Sequence, residues 1–400
     1  MSLAPAAAPE VPITADLSAP LSGLIGPALT AAAENADAVD RDARFPSESI
    51  DALRLAGLLG CYVPVAFGGL GATFDELTDA TFELSRRCAA SGMVFAMHQI
   101  QVATIVHHLD GSAWFEDYLR RLAREQRLIA SATSEVGVGG DLRSSIAAVE
   151  ATADGVRFQK RASTISYGAY CDDILTSLRR SPAADKGDQV MVLTARFNME
   201  MESIGEWDTL GMRGTCSPGF TIRANCLKEQ VMPVSFSTMA AQTVVPFSHL
   251  LWAHVWLGTA AAAFDRAQSF VRAQARQYPG TTPPVAQRLA ELSVRMAEFR
   301  ALVRTATAEY AEALRAADAE RLSTIGYAVR INNVKLAASE AVVEVCNAAL
   351  RICGFLGYKN GTPYSIGRQL RDAHSAALMI ANDRILATNA ALLLVHREGR

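Results

Sequence analysis

Apolar positions change their spacing twice along the chain, and the two changes divide it into three parts. Up to about Leu128 they recur at helical spacing. Ser47 stands where it can cap SIDALRLAGLLG, and a second periodic run, TFDELTDATFELSRR, follows from Thr73. Residues 91–109, SGMVFAMHQIQVATIVHHL, are nearly apolar all round, which predicts a helix buried on every side. Gly and Pro punctuate VPVAFGGLGA between these segments. From Leu128 to about Met232 short β-type runs take over: LIASATS, IAAVEATA, ISYGAYCDDILTSLRR, QVMVLTARF and FTIRAN. After Pro246 helical periodicity returns over 247–278, 283–315 and 323–352, with a last helix expected over about 366–398. The pattern predicts an α+β protein with a helical domain over 20–128, a β domain over 129–240 and a helical block over 241–400. Residues 1–19 are Ala/Pro-rich and are expected to be disordered.

Composition narrows the class. Half the residues are hydrophobic and 20% are charged, as in an ordinary soluble domain. A net charge of -3 offers no attraction to nucleic acid or to an anionic membrane surface. Seven cysteines with no CxxC make neither a disulfide framework nor a zinc site, and they fit a reduced compartment. No Lys or Arg precedes Arg41, against a basic signal or transit peptide. No uninterrupted apolar run approaches the length of a membrane span. The expected location is cytoplasmic, with no nucleic-acid or membrane partner and no metal.

Four segments carry candidate chemistry. SEVGVGGDLRS, 134–144, is a turn in which Gly137, Gly139 and Gly140 let backbone amides approach a pyrophosphate, and Ser134 can donate to a ring carbonyl or nitrogen. It matches neither the βαβ dinucleotide fingerprint nor a Walker A loop, and alone it reads equally as a plain turn. WDTLGMRGT, 207–215, joins two strands. RQYPGTTPPVAQ, 276–287, links two helices, and CGFLGYKNGTPYSIGRQLRDA spans 353–373.

In this order, and on an α–β–α frame, the four segments resemble those of the acyl-CoA dehydrogenase family. There the first motif reads T-E-P-G-A-G-S-D and the second L-G-x-R-G. The third carries an Arg and a Gln, matched here by Arg276 and Gln287, and the fourth ends in R-D-A. The resemblance covers about residues 20–398. It implies an N-terminal helical domain, a central β-barrel-like domain and a C-terminal four-helix bundle. It also implies FAD, a homodimer or homotetramer, and an acyl thioester substrate on CoA or on an acyl-carrier protein; the electron acceptor or flavin reductase stays open. Carried over by motif, Ser134, Gly139, Gly140, Thr164, Ser166, Gly354 and Gly357 would contact FAD. Arg276 and Gln287 would hold the FAD of a neighbouring subunit. Thr164 stands where the family keeps an aromatic residue, and Gly140 where it keeps a Ser.

The reaction is the open point. Family members abstract an α-proton with a Glu, eight residues past the Asp of R-D-A. Here that position is Ile380, and the alternative Glu position of some members falls at Ser248. An isoleucine accepts no proton. The resemblance therefore implies one of three readings: CH–CH oxidation with a relocated base, a flavin-dependent monooxygenase on the same fold, or a non-catalytic flavin-binding subunit. Candidate replacements are His374, His98 and Asp383. Both histidines resemble residues that monooxygenases of this fold use near the flavin, although a histidine on an apolar helix is more often a satisfied core residue. Tyr167 could donate a hydrogen bond. His107, His108, His254 and His396 read as structural or exposed, and Trp252 and Trp256 as core or interface.

Overall fold

The computed structural model describes residues 20–139, 141–277 and 279–396, so the expectations for residues 1–19 and for Gly140 lie outside the described residues. The N-terminal domain holds helices α1 (Gly26–Arg41), α2 (Ser47–Leu55), α3 (Phe74–Arg87), α4 (Ala89–His108) and α5 (Ala113–Glu125). Thr73 starts α3 by accepting from the Glu76 amide at 3.2 Å, while Glu76 reaches back to the Thr73 amide at 2.9 Å. Two otherwise orphaned donors are thereby satisfied. Ser47 does not cap α2; it is the first helical residue, after Pro46. α4 is apolar on all faces because the fold surrounds it. By length and composition it could cross a membrane, yet 89% of its apolar window is buried inside the protein.

The β domain consists of β1 (Ile129–Ala132), β2 (Glu150–Ala151), β3 (Val156–Ala162), β4 (Asp173–Arg179), β5 (Gln189–Ala195), β6 (Met199–Ile204) and β7 (Gly219–Cys226). They form two sheets. One has the order β1-β4-β5, with β1 parallel to β4; the other is antiparallel, in the order β2-β3-β7-β6. β3 alternates buried and exposed positions, and its buried Lys160 donates to the Ser177 carbonyl of β4 at 2.7 Å. That bond ties one sheet to the other across a common core.

The C-terminal part packs α6 (Val245–Gln277), α7 (Ala286–Arg315), α8 (Ile325–Tyr358) and α10 (Asn382–Val395), with the short α9 (Gly367–Ala373) beside them. α6 lies along both α8 and α3, so bundle and N-terminal domain share one apolar interior. A turn of π-helix, Ala240–Val244, leads into α6. The single final helix expected over 366–398 is a misreading. The chain leaves helix at Ala373, runs through turns to Ala381 and re-enters helix at Asn382. Ile380 has φ +45°, a left-handed conformation that β-branched residues avoid. Buried Lys335 of α8 fixes it, donating to the Ile380 carbonyl at 3.1 Å and to Asn382 Oδ1 at 2.6 Å. A tertiary contact overrides the helix propensity of HSAALMIA.

Two of the four motifs meet directly. A Cβ on Gly211 would stand 2.1 Å from the Arg371 carbonyl oxygen and 2.6 Å from the Asp372 amide nitrogen. Asp372 accepts from the Met212 amide at 2.7 Å. Arg213 donates to the Asp40 carbonyl at 2.9 Å, and Arg371 pairs with the Asp40 carboxylate. One node thus joins α1, the β-domain turn and α9, and it sets where the 374–381 segment begins.

Candidate active site

Between the β domain and the bundle lies a cavity of about 900 Å³. Its walls come from the segment after the Gly-rich turn, the π-turn and the start of α6, the first turns of α8, and the region from Ile380 into α10. Ile380, at the family's Glu position, is on that wall. So is His249, one residue past the alternative position at Ser248.

His249 is buried, and neither of its ring nitrogens makes a well-directed hydrogen bond. Burial, and then the nearby Lys335 cation, push its pKa down to about 3; the Ile331 backbone opposes the shift only in part. Its imidazole is therefore neutral at ordinary pH. The other buried imidazoles are occupied. His107 meets the Tyr62 hydroxyl at 2.8 Å, His108 the Thr243 hydroxyl at 2.9 Å and His254 the Leu250 carbonyl at 2.9 Å. Among the seven histidines, His249 is the one that the sequence motifs do not mark. The one signal that could have found it was its place beside Ser248 on an otherwise apolar helix. Tyr327, on the cavity wall opposite in sequence, also buries a hydroxyl with no partner.

None of the three proposed bases lines the cavity. His98 has one ring nitrogen 2.8 Å from the Leu59 carbonyl, and the other accepts from the Ile129 amide at 3.0 Å. Burial lowers its pKa to about 4, so it is a neutral brace between the N-terminal domain and β1. His374 and Asp383 are exposed and do not line the cavity. Asp383 lies in the first turn of α10, where a carboxylate complements the helix dipole. Tyr167 spends its hydroxyl on the Ile129 carbonyl at 2.9 Å.

The cofactor candidates fall into two groups. Ser134 donates to the Thr164 carbonyl at 2.8 Å and accepts from the Thr164 amide at 3.1 Å, bracing two loops together. Thr164 is exposed at that junction. The Ser217 hydroxyl can donate to Ser166 at 2.9 Å, which leaves the Ser166 hydrogen for a ligand. Gly139 has φ +59°, and a Cβ there would meet the Arg384 guanidinium at 2.8 Å. The second group is on the bundle. Arg276, in the last turn of α6, and Gln287, in the first turn of α7, are exposed on either side of the connection. Gly354 breaks α8 with φ 57° and ψ -138°, a conformation open to glycine. Gly357 packs where a Cβ would come 2.6 Å from Cys353 Cβ.

Helical domain, paired sheets and helical bundle, with a cavity at their junction, define one fold class. Butyryl-CoA dehydrogenase from Megasphaera elsdenii superposes with a TM-score of 0.78 over 95% of this chain and 98% of its own, at 18% identity. FMN-bound TdsC from Paenibacillus sp. A11-2 superposes with a TM-score of 0.76 over 92% and 98%, at 20% identity. In sequence, residues 28–126 match the acyl-CoA dehydrogenase N-terminal domain and residues 239–386 its C-terminal domain. The chain belongs to the acyl-CoA dehydrogenase family, whose members are oxidoreductases on a flavoprotein fold. Among its relatives is a probable FMNH2-dependent monooxygenase of Pseudomonas putida, 25% identical over 84% of this chain and 88% of that protein. Another is a short-chain specific acyl-CoA dehydrogenase of Clostridium acetobutylicum, 22% identical over 84% and 86%.

Proposed function

We propose that the protein is a flavin-dependent oxidoreductase of monooxygenase type, acting on a small molecule held in the cavity between β domain and bundle. The observation that carries this is the cavity wall itself: Ile380 occupies the base position, and the imidazole beside the alternative position is held neutral. Abstraction of a proton next to a carbonyl needs a base matched to that task, and an imidazole held near 3 is a weak one. Among the described lining residues the carboxylate is Asp141, which is exposed. Transfer of oxygen to a substrate needs no such base, and the monooxygenases among the relatives support that reading. When bound, a reduced flavin supplies the electrons that activate oxygen.

The loops fit a flavin. Ser166 keeps a donor, and Gly137 and Gly139 hold positive φ in the turn beside it. Thr164, Ser166 and Gly139 would hold it from one subunit, with Ser134 bracing the loop that carries Thr164. Arg276, Gln287, Gly354 and Gly357 would complete an FAD site from another, in a homodimer or homotetramer. Exposed Phe355, Tyr358, Leu393 and Leu394 on the bundle support such an assembly. The protein's own residues shape the cavity, while His249 and Tyr327 orient what enters. The test is oxygen uptake by flavin-loaded protein supplied with a separate NADH-driven flavin reductase. Uptake that rises with added substrate supports the reading. A cavity that instead dehydrogenates an acyl thioester, using His249 as base, would show reduction by the thioester alone.

A further inference from the structure

The cavity contains two polar side chains that folding leaves unsatisfied. His249 is 2% exposed and Tyr327 is 7% exposed; both line the cavity, the phenol hydroxyl has no partner, and the imidazole makes no well-directed hydrogen bond beyond its approach to the Ile331 backbone. Tyr327 and Ile331 are one turn apart on α8, both on the cavity wall, and His249 faces the Ile331 backbone. His249 and Tyr327 therefore meet the cavity within one turn of α8. Buried polar groups are nearly always paired, so an orphaned pair aimed into one space points to what fills it.

The mouth differs from the inner end. Arg143 reaches the Thr388 hydroxyl at 3.4 Å, and Arg384 lies against Gly139. Both guanidinium groups are exposed on the cavity rim, and among the described residues neither is in an ion pair. We propose that the cavity binds an elongated small molecule with a neutral hydroxyl at its inner end, held between His249 and Tyr327, and an anion at its outer end, held by Arg143 and Arg384. The inference rests on the reading of this cavity as the substrate site.

The chemistry of the two ends selects these groups. A neutral imidazole and a phenol each offer one donor and one acceptor, and a hydroxyl, with one hydrogen and two lone pairs, can satisfy both. A carboxylate at the inner end would be a buried charge with no free cation to meet it, because Lys335 is already committed to Ile380 and Asn382. An ammonium there would face the Lys335 charge. At the mouth, two guanidinium groups suit a carboxylate or a phosphate, and their exposure makes that contact salt-sensitive. The volume of about 900 Å³ is that of a site for a drug-sized molecule.

The test titrates the full chain, as purified, with four probes by calorimetry. The first is 4-(4-hydroxyphenyl)butanoate. The second, 4-phenylbutanoate, lacks the hydroxyl. The third, 4-(4-hydroxyphenyl)butan-1-ol, lacks the anion. The fourth, 4-(4-hydroxyphenyl)butyl phosphate, replaces carboxylate by phosphate and tells the two anions apart. The first or the fourth should bind about tenfold more tightly than either control, the worth of one hydrogen bond or one exposed anion contact. Tyr327→Phe should abolish the hydroxyl preference and keep the anion preference; Arg384→Gln should do the reverse. Tyr327→Phe removes an orphaned buried hydroxyl, so its Tm in the empty protein should be unchanged or higher, whereas a hydroxyl with a structural task would lower it. Equal binding of all four probes overturns the proposal. So does a hydroxyl preference that survives both Tyr327→Phe and His249→Leu, or no saturable binding at millimolar probe. Binding is read here without turnover, so a negative result leaves the oxygen-uptake test of the monooxygenase reading independent.

Discussion

Gly211→Ala puts the junction of the three domains to a direct test. The new Cβ would lie 2.1 Å from the Arg371 carbonyl oxygen, 2.3 Å from its carbon and 2.6 Å from the Asp372 nitrogen. All three are backbone atoms, so no side chain can swing aside. Relief requires the 207–215 turn and α9 to separate, and separation breaks the 2.7 Å bond from the Met212 amide to Asp372. Overpacking of this kind costs about 1–3 kcal/mol. A buried carboxylate deprived of its donor adds about 1.5–3 kcal/mol. The sum, about 2.5–6 kcal/mol, is a large part of an ordinary stability of about 5–15 kcal/mol. Differential scanning fluorimetry should show a fall in Tm of at least about 5 °C. Because α9 leads into the segment that carries Ile380 to the cavity wall, ligand binding should weaken as well. The control is Gly26→Ala, where an added Cβ meets nothing within 4 Å and φ is not positive; its Tm should change little. A Gly211→Ala protein with the parent's Tm would refute the close backbone contact on which the node depends.

Other predictions follow from the buried titratable groups. Burial raises the Asp372 pKa to about 6, so the native state holds its proton more tightly than the unfolded chain; that stability is present below about pH 4 and lost as pH rises through 6. Asp372→Asn still accepts from Met212, and it should raise stability at pH 7 by up to about 3 kcal/mol and flatten its pH slope between 4 and 6, measured by urea denaturation across pH. The neutral imidazoles act in the opposite sense. His98 and His254, near 4, and His249, near 3, each penalise the native state as pH falls below 6.5. At about 3 kcal/mol apiece they should bring acid unfolding on above pH 4, and native circular dichroism persisting at pH 3 would contradict it. Lys335→Met removes the cation that helps to depress His249, so the imidazole should titrate at higher pH by NMR. An unshifted imidazole would mean that burial alone sets its pKa.

The sequence disclosed the order of the parts better than it disclosed their joints. Helical periodicity, its interruption near Leu128 and its return after Pro246 are local properties of the chain, and the α–β–α order follows from them. β3, VRFQKRA, and β6, MEMESI, escaped notice because charged residues fill their outward positions; in β3 the alternation is nonetheless complete. The break at Ala373 was hidden for a different reason. HSAALMIA has good helix propensity, and what unwinds it is Lys335, 45 residues away in sequence. The same distance effect governs the site. Ile380 could be placed by motif spacing, but the partners of His98 lie on Leu59 and Ile129, and His249 makes no well-directed hydrogen bond. Whether an imidazole on an apolar helix is satisfied or orphaned is set by what faces it, and no spacing along one helix encodes that.

An isoleucine at the position that motif spacing matches to the family's Glu implies that this cavity performs no α-deprotonation. The most direct measurement is anaerobic stopped-flow mixing of the flavin-loaded protein with a series of acyl-CoA thioesters, following the oxidised flavin absorbance. The expected result is no bleaching by any thioester in the parent protein, and oxygen consumption only when a separate reductase supplies the electrons. Rapid bleaching by an acyl-CoA, lost in His249→Leu with flavin retained, would contradict it and identify a dehydrogenase with a relocated base.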